Sequence, residues 1–323
     1  MFWRVGLNIK SGVTMPESLL QALKLSLPHK LAVAWSGGAD STALLMMLHL
    51  AGFEVEAWHV DHAWHAASSE VAEQLKLQAA AWHIPFECRR LAAPGTANRE
   101  AIARAGRYQA LQDIARDRGL FDLALAHHQG DQAETVCMRL LQGAGVSGCR
   151  GIARQRQHDG LMLYRPLLQM PKSELVDFLK SSNIGWVEDA SNRDQRLKRN
   201  RVRLSLFPAM LNGGFDPVML FCRWGEQALK LSEEITLHLE ALNFESQSGH
   251  CSVCWETWRK QPQAVRAAAL QLMASSAMGE GVVLGRRHIE LVEVWIHKSA
   301  RGSVDLSRCT LSREGRGLHL RSV

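Results

Sequence analysis

Between residues 31 and 142 short apolar runs alternate with longer amphipathic ones, and no other feature constrains the fold as much. Residues 31–35, 55–60, 85–89 and 122–126 read as strands, the first of them buried. Residues 41–50, 69–82, 100–118 and 132–142 read as the helices that follow them. Strand–helix alternation of this kind predicts an α/β fold, a parallel sheet with helices on both faces. Such sheets bind ligands outside the carboxyl ends of their strands, so chemistry is expected in the loops that leave those ends.

The pattern loosens after Gly143. Residues 172–182 are amphipathic, and 192–203 are densely basic. Gly213-Gly214 before Asp216-Pro217 reads as a linker, with helices expected over 218–242 and 263–278. The tail from 303 alternates apolar and polar residues as a small sheet does. This divides the chain into an extension and first helix over 1–30, a catalytic α/β domain over 31–212, and a smaller domain over 213–323. The last is expected to be mostly helical and to end in short strands. The first fourteen residues are expected to add little. At 323 residues and 46% hydrophobic, the chain is long enough for two cores. A net charge of +6 suits a phosphate-bearing partner without demanding one. No run approaches the roughly 18 apolar residues of a membrane span, and no secretory leader is apparent. The seven scattered cysteines suit reduced thiols, and both observations point to a cytoplasmic protein.

Ser36-Gly37-Gly38-Ala39-Asp40-Ser41 joins the first strand to its helix. Adjacent glycines let the backbone approach a ligand closely, and amides, hydroxyls and a helix N-terminus together make an anion cradle. Asp40 sits close to that anion, which a Mg²⁺ ion between the two would reconcile. The alternative is a tight turn in which Asp40 caps the helix. No Gly-Lys-Ser/Thr occurs, so this is not a Walker A loop. It resembles the pyrophosphate loop of the N-type ATP pyrophosphatases, the PP-loop superfamily, which cleave ATP between its α and β phosphates.

His59-Val60-Asp61-His62 closes the second strand, and His127-His128-Gln129-Gly130-Asp131-Gln132-Ala133-Glu134-Thr135 closes the fourth. Asp131 and Glu134, three apart on a helix, share a face. Either acid alone would be an ordinary complement to the helix dipole; both beside a phosphate cradle suggest a site. The histidines and Asp61 and Asp131 could also serve a two-metal hydrolase, although such a site has no use for the glycine loop. Gly143-Ala144-Gly145-Val146-Ser147-Gly148 spells a dinucleotide fingerprint but follows a helix, so it reads as a helix cap and turn.

The run from His127 to Ile152 resembles the tRNA(Ile)-lysidine synthases. So do Glu100-Ala101-Ile102-Ala103-Arg104 with Arg107-Tyr108, and Tyr164-Arg165-Pro166-Leu167-Leu168. Glu188-Asp189-Ala190-Ser191-Asn192 and Arg199-Asn200-Arg201-Val202-Arg203 complete the likeness in the same order. The resemblance implies a ligase that forms a carbon–nitrogen bond. Its substrates would be ATP, free L-lysine and an isoleucine tRNA with a CAU anticodon. The wobble cytidine is adenylated through its C2 oxygen, and the lysine ε-amine then displaces AMP.

By the same resemblance Ser36, Gly37, Gly38, Ala39, Asp40, Ser41 and His62 would bind ATP. Asp40, Asp131 and Glu134 would be catalytic, with Asp40 and Asp131 as Mg²⁺ ligands. Arg104, Arg107, Arg139, Arg165, Arg199, Asn200 and Arg203 would contact substrate or tRNA. The 213–323 domain would bind tRNA too, and a homodimer is compatible with the likeness. Two departures stand out. Gly130 replaces the family's usual Asp, and Ala63-Trp64-His65 replaces its usual Gly-Leu-Arg. A tRNA sulfurtransferase of the same loop superfamily, or a tRNA-binding relative without catalysis, are the competing readings. Cys251-Ser252-Val253-Cys254 would bear on the first, but it lies far from the glycine loop and is read as structural.

Overall fold

The computed structural model describes residues 16–61, 68–91, 99–188, 198–279, 282–298, 300 and 302–323. In chain order the first half runs α1 (Glu17–Ser26), β1 (Lys30–Ala34), α2 (Ala39–Leu50), β2 (Glu54–Asp61), α3 (Ser68–Ala81), β3 (Phe86–Arg90), α4 (Arg99–Arg118), β4 (Asp122–Ala124) and α5 (Gln129–Leu141). A hairpin of β5 (Gln155–His158) and β6 (Leu161–Tyr164) follows, then α6 (Lys172–Ser181). α7 (Lys198–Arg201) continues through a π-helical turn, Val202–Leu206, into α8 (Phe207–Asn212), and α9 spans Pro217–Glu240. The remainder is β7 (Phe244–Gln247), β8 (His250–Cys254), α10 (Trp255–Arg259), α11 (Gln263–Met278), α12 (Arg286–His297), β9 (Ser303–Asp305), β10 (Cys309–Glu314) and β11 (Gly317–Ser322).

Six strands form the first sheet in the order β3-β2-β1-β4-β6-β5. The pairs from β3 through β6 are parallel, and only β5 runs antiparallel. The parallel α/β expectation therefore holds, with a hairpin edge that the sequence reading had not placed. β1 is central, and Leu31, Ala32 and Val33 are fully buried, as a strand covered on both faces must be. Alternation then sorts its side chains. Leu31 and Val33 join α1, α2, α3 and α6 in one core, while Ala32 joins Trp58, Leu123 and the α4 residues Leu111, Ile114 and Ala115 in the other.

The chain divides into two compact units, Met1–Glu226 and Gln227–Val323, the boundary falling within α9. The second unit has a five-stranded antiparallel sheet, β7-β8-β11-β10-β9, packed on α11. Its last three strands are the sheet expected in the tail. β7 and β8 escaped the sequence reading, because Glu245, Gln247 and His250 break the apolar run. Within β8, Cys251 is fully buried while Cys254 is exposed. Residues three apart on a strand point to opposite faces, so the pair cannot close a local disulfide or share a ligand without bending the strand. Among the described residues no single helix is long and apolar enough to cross a membrane.

One buried charge ties β2 to the end of α4. Glu56 on β2 is 5% exposed and accepts from Trp58 Nε1 at 3.2 Å and from Arg118 Nε and a terminal guanidinium nitrogen at 3.0 and 3.1 Å. Removing one partner of such a pair leaves a charge stranded in low dielectric. Arg118→Ala should therefore destabilise the first unit by about 2–3 kcal/mol in urea denaturation; a loss below about 0.5 kcal/mol would mean that water replaces the guanidinium.

Candidate active site

In the strand order, the chain runs outward from β1 to β2 on one side and meets β4 on the other. This reversal opens a crevice at the carboxyl ends of β1 and β4, the place where open α/β sheets bind ligands. The loop after β1 and the N-terminus of α5 line it.

The β1–α2 loop is held by its own side chains. Ser41 Oγ accepts from the Ser36 amide at 3.2 Å, lies 3.1 Å from Ser36 Oγ, and donates to Gly38 O at 3.1 Å. Thr42 Oγ1 donates to Gly37 O at 3.2 Å and accepts from the buried Trp35 indole at 3.0 Å. Gly37 has φ +81°, and a Cβ there would stand 2.8 Å from Leu75 Cδ2 and 3.0 Å from Val187 Cγ2. Both the backbone angle and the space exclude a larger residue. Gly38 is the N-cap of α2 and makes no side-chain cap. The first-turn amides of α2 thus have no intrahelical partner. Asp40 lies inside that first turn and is not the cap, which disposes of the capping alternative.

Asp40 has unequal oxygens. Oδ2 accepts from Lys172 Nζ at 3.3 Å and lies 3.8 Å from His128 Nε2, whereas Oδ1 is buried without a partner. Lys172 opens α6, 132 positions along the chain, and no local pattern marked it.

Opposite stands α5, capped by His128. Its ring Nδ1 accepts from the Gly130 amide at 3.0 Å, and Asp131 Oδ2 accepts from the His128 amide at 2.9 Å. The ring takes an early amide of the helix and the Asp131 carboxylate takes the cap's own amide, in the manner of a capping box. His128 Nε2 is also 3.5 Å from Asp131 Oδ2. A Cβ on Gly130 would lie 2.8 Å from the His128 ring, so the departure from the family's Asp coincides with the space this ring occupies.

Asp131 and Glu134 do share a face, and two arginines cover it. Arg199 reaches Asp131 Oδ1 at 2.7 Å and, through Nε, Glu134 Oε2 at 2.5 Å. Arg203 donates from Nε to Glu134 Oε1 at 2.6 Å and from a terminal nitrogen to Oε2 at 3.0 Å. Glu134 is 3% exposed. The π turn at Val202–Leu206 begins between the two arginines' turns, a local unwinding often found at functional sites. Arg199 and Arg203, expected to contact substrate or tRNA, pair here with the two acids. Burial alone would raise the Asp131 carboxyl, but His128, the Arg199 charge and the His128 amide hold it below its ordinary value. Burial, with Arg165, Arg199 and Arg104 nearby, pushes His127 down to about 4, and its Nδ1 is buried without a partner.

The other expected residues scatter. Arg165 is 6% exposed and donates to Ala153 O at 2.9 Å, part of the wall. Arg104 is exposed with its guanidinium 5.5 Å from the Tyr108 ring centre, and Arg107 lies one turn farther along α4. Arg139 is exposed in the last turn of α5, away from the crevice, and Asn200 is buried. Thr135 donates back to Asp131 O at 2.8 Å. The two-metal reading finds no support: His59 is buried with Nδ1 2.9 Å from Trp35 O, and among the described residues, which leave out His62, no group of three could hold a metal ion. His62, Ala63-Trp64-His65 and residues 189–197, with Arg193 and Arg196, lie outside the described residues. Gly143, with φ +72°, ends α5 as a cap, as read.

Comparison with known proteins identifies the family. The family described as PP-loop domain matches residues 13–210. A tRNA(Ile)-lysidine synthase of Chlamydia caviae is 36% identical over 201 residues, 59% of this chain and 62% of that one. A tRNA(Ile)-lysidine synthase of Chlamydia pneumoniae is 35% identical over 230 residues, 70% of this chain and 71% of that one. With the Chlamydia caviae and Chlamydia abortus relatives the match spans about three fifths of their length, 62% and 61%. Among solved structures, the U34-tRNA thiolase NcsA from Methanococcus maripaludis, with its [4Fe-4S] cluster, aligns with a TM-score of 0.54 and 14% identity. That alignment covers 66% of this chain and 79% of the thiolase, a likeness of fold alone.

His127 gives the site a pH signature. Its folded-state value lies below the roughly 6.5 of an unfolded histidine, so the unfolded chain binds the proton that the folded one refuses. Stability should therefore be intact above about pH 6.5 and fall as pH drops toward 4, by on the order of 2 kcal/mol; the Asp131 carboxyl adds its loss only below about pH 4. In urea titrations His127→Gln should flatten the decline between about pH 6.5 and 4. An unchanged slope would assign the decline to other groups.

Proposed function

From the premise that this chain belongs to the PP-loop domain family and, within it, to the tRNA(Ile)-lysidine synthases, we propose that it ligates L-lysine to C2 of the wobble cytidine of a CAU-anticodon isoleucine tRNA. ATP is consumed, and AMP and pyrophosphate are released. One observation carries this reading. A single crevice has an amide-lined glycine turn on one side and the carboxylates of Asp131 and Glu134 on the other. The turn suits a polyanion and the carboxylates suit an amine. Adenylation followed by amine attack requires that pair of ligands and brings them together in that order.

In the first step the cytidine C2 oxygen attacks the α-phosphorus, and the bond to the β-phosphate breaks. The free amides at the start of α2 and the Ser36 and Ser41 hydroxyls receive the leaving pyrophosphate. Lys172, already beside Asp40, supplies a mobile positive charge to the same group. The orphaned Asp40 Oδ1 fits a Mg²⁺ ligand, since that ion takes one or two carboxylates and completes its shell with phosphate and water. Bound Mg²⁺ would neutralise phosphate charge in front of that oxygen. Asp131 has both oxygens engaged, by Arg199 and by the His128 amide, so the metal role is assigned to Asp40 alone.

In the second step the lysine ammonium takes the place of a guanidinium on Asp131 and Glu134. Arg199 is one of the charges that keep the Asp131 carboxyl low, so its withdrawal makes Asp131 a stronger base as the amine arrives. Asp131 accepts the proton, the freed amine attacks C2, and AMP leaves. The displaced arginine is then available to phosphate, for which its forked geometry is suited. Exposed Arg104, Arg107 and Arg139 are proposed tRNA backbone contacts, and a cytoplasmic location belongs to the same proposal.

Incubation with ATP, labelled lysine and unmodified CAU-anticodon tRNA tests the proposal: lysine should enter the tRNA with one AMP and one pyrophosphate per event. AMP release without lysine incorporation, or sulfur incorporation from a donor, would overturn it. Asp131→Asn should lower incorporation roughly 10²–10⁴-fold, the usual contribution of a positioned base, while ATP binding persists. Lys172→Ala should raise KM for ATP more than it lowers kcat, which saturation kinetics would read.

A further inference from the structure

His128 touches more of this crevice than an ordinary helix cap needs to. The Gly130 amide donates to its Nδ1 at 3.0 Å, so Nδ1 carries no hydrogen and the ring proton sits on Nε2. That N–H lies between two carboxylates of different elements, 3.8 Å from Asp40 Oδ2 and 3.5 Å from Asp131 Oδ2. The ring is 4% exposed, so water competes little for the proton. Each acid has its second oxygen elsewhere. Asp40 Oδ1 is buried and unpartnered, and Asp131 Oδ1 is on Arg199. With Lys172 on Asp40 Oδ2 and the His128 amide on Asp131 Oδ2, the ring N–H helps to fix one oxygen of each acid and so the direction of the other.

We propose that His128 is a positioning residue that aims Asp40 at the phosphates and Asp131 at the amine through one ring N–H, with Gly130 leaving the space that the ring needs. The amine half of the statement rests on the lysine-ligating reading above; the Asp40 half requires only nucleotide binding. Distances of 3.5–3.8 Å are those of an open site, in which such contacts tighten once ligand is bound. A side chain at Gly130 would push the ring off both acids, since even a Cβ comes within 2.8 Å of His128 Cε1 and 3.1 Å of Nδ1.

Two substitutions separate the ring's functions. His128→Asn keeps an oxygen for the Gly130 amide, and Asn is among the best helix caps, but it cannot reach the acids. His128→Gln places an amide N–H near the Nε2 position and gives up the cap. ATP affinity, by calorimetry on the full chain with Mg²⁺ and with EDTA, is read beside the melting midpoint and the kcat and KM for lysine. His128→Asn should melt within about 2 °C of the parent. It should bind ATP roughly tenfold to a hundredfold more weakly in Mg²⁺, the range for one hydrogen bond to a charged group, and unchanged in EDTA. Its kcat should fall with little change in lysine KM. His128→Gln should recover part of the Mg²⁺-dependent affinity at a lower melting midpoint, and Gly130→Ala should reproduce the His128→Asn loss.

Equal weakening of His128→Asn in Mg²⁺ and in EDTA would reduce the residue to a cap and overturn the proposal, as would parental affinity in both. A parent chain that binds no ATP would overturn this proposal and the function together. A parent that binds ATP but transfers no lysine would overturn the function alone, and the binding comparison would still decide the Asp40 half.

Discussion

Three carboxylates, Asp40, Asp131 and Glu134, stand around one crevice, and the rest of the site follows from how their repulsion is offset. Each is matched with a cation from a distant part of the chain: Lys172 for Asp40, and Arg199 and Arg203 for the other two. Without those partners, unpaired negative charges would crowd a largely buried crevice and push its walls apart. With them the cluster is close to neutral, and the crevice can be compact before any ligand arrives.

That balance also makes the site responsive. A phosphate at the glycine turn competes for Lys172, and an amine at α5 competes for the acids that hold Arg199 and Arg203. Every ligand that enters displaces a charge of its own sign or attracts one of the opposite sign, so arrival at one end alters the other. His128 lies where the two ends meet, its proton between Asp40 and Asp131. Arginines four apart lie on one helix face, so both reach Glu134, and the π turn that includes Arg203 begins just after Arg201.

Much of this was legible in the sequence, and for identifiable reasons. The buried run at 31–33 reads as a central strand because only a strand covered on both faces is apolar at every position. Gly37-Gly38 reads as a sharp turn between a strand and a helix because glycine adopts angles other residues avoid, and Gly37 does so at φ +81°. Asp131 and Glu134 share a face because helical periodicity requires it. The β5–β6 hairpin and strands β7 and β8 were missed, since short edge strands with charged residues lack a periodic signal.

By itself the sequence determined the local elements, the strand–helix order and the residues that line the strand ends, because those depend on periodicity and backbone freedom within a few residues. Only the tertiary structure decided which charges meet. That Lys172 reaches Asp40, and that Arg199 and Arg203 turn inward onto Asp131 and Glu134, depends on α6 and α7 being folded back onto the crevice. Pairing across 65 to 132 positions leaves no mark on local pattern, because an ion pair is specified by proximity in space and is blind to separation along the chain.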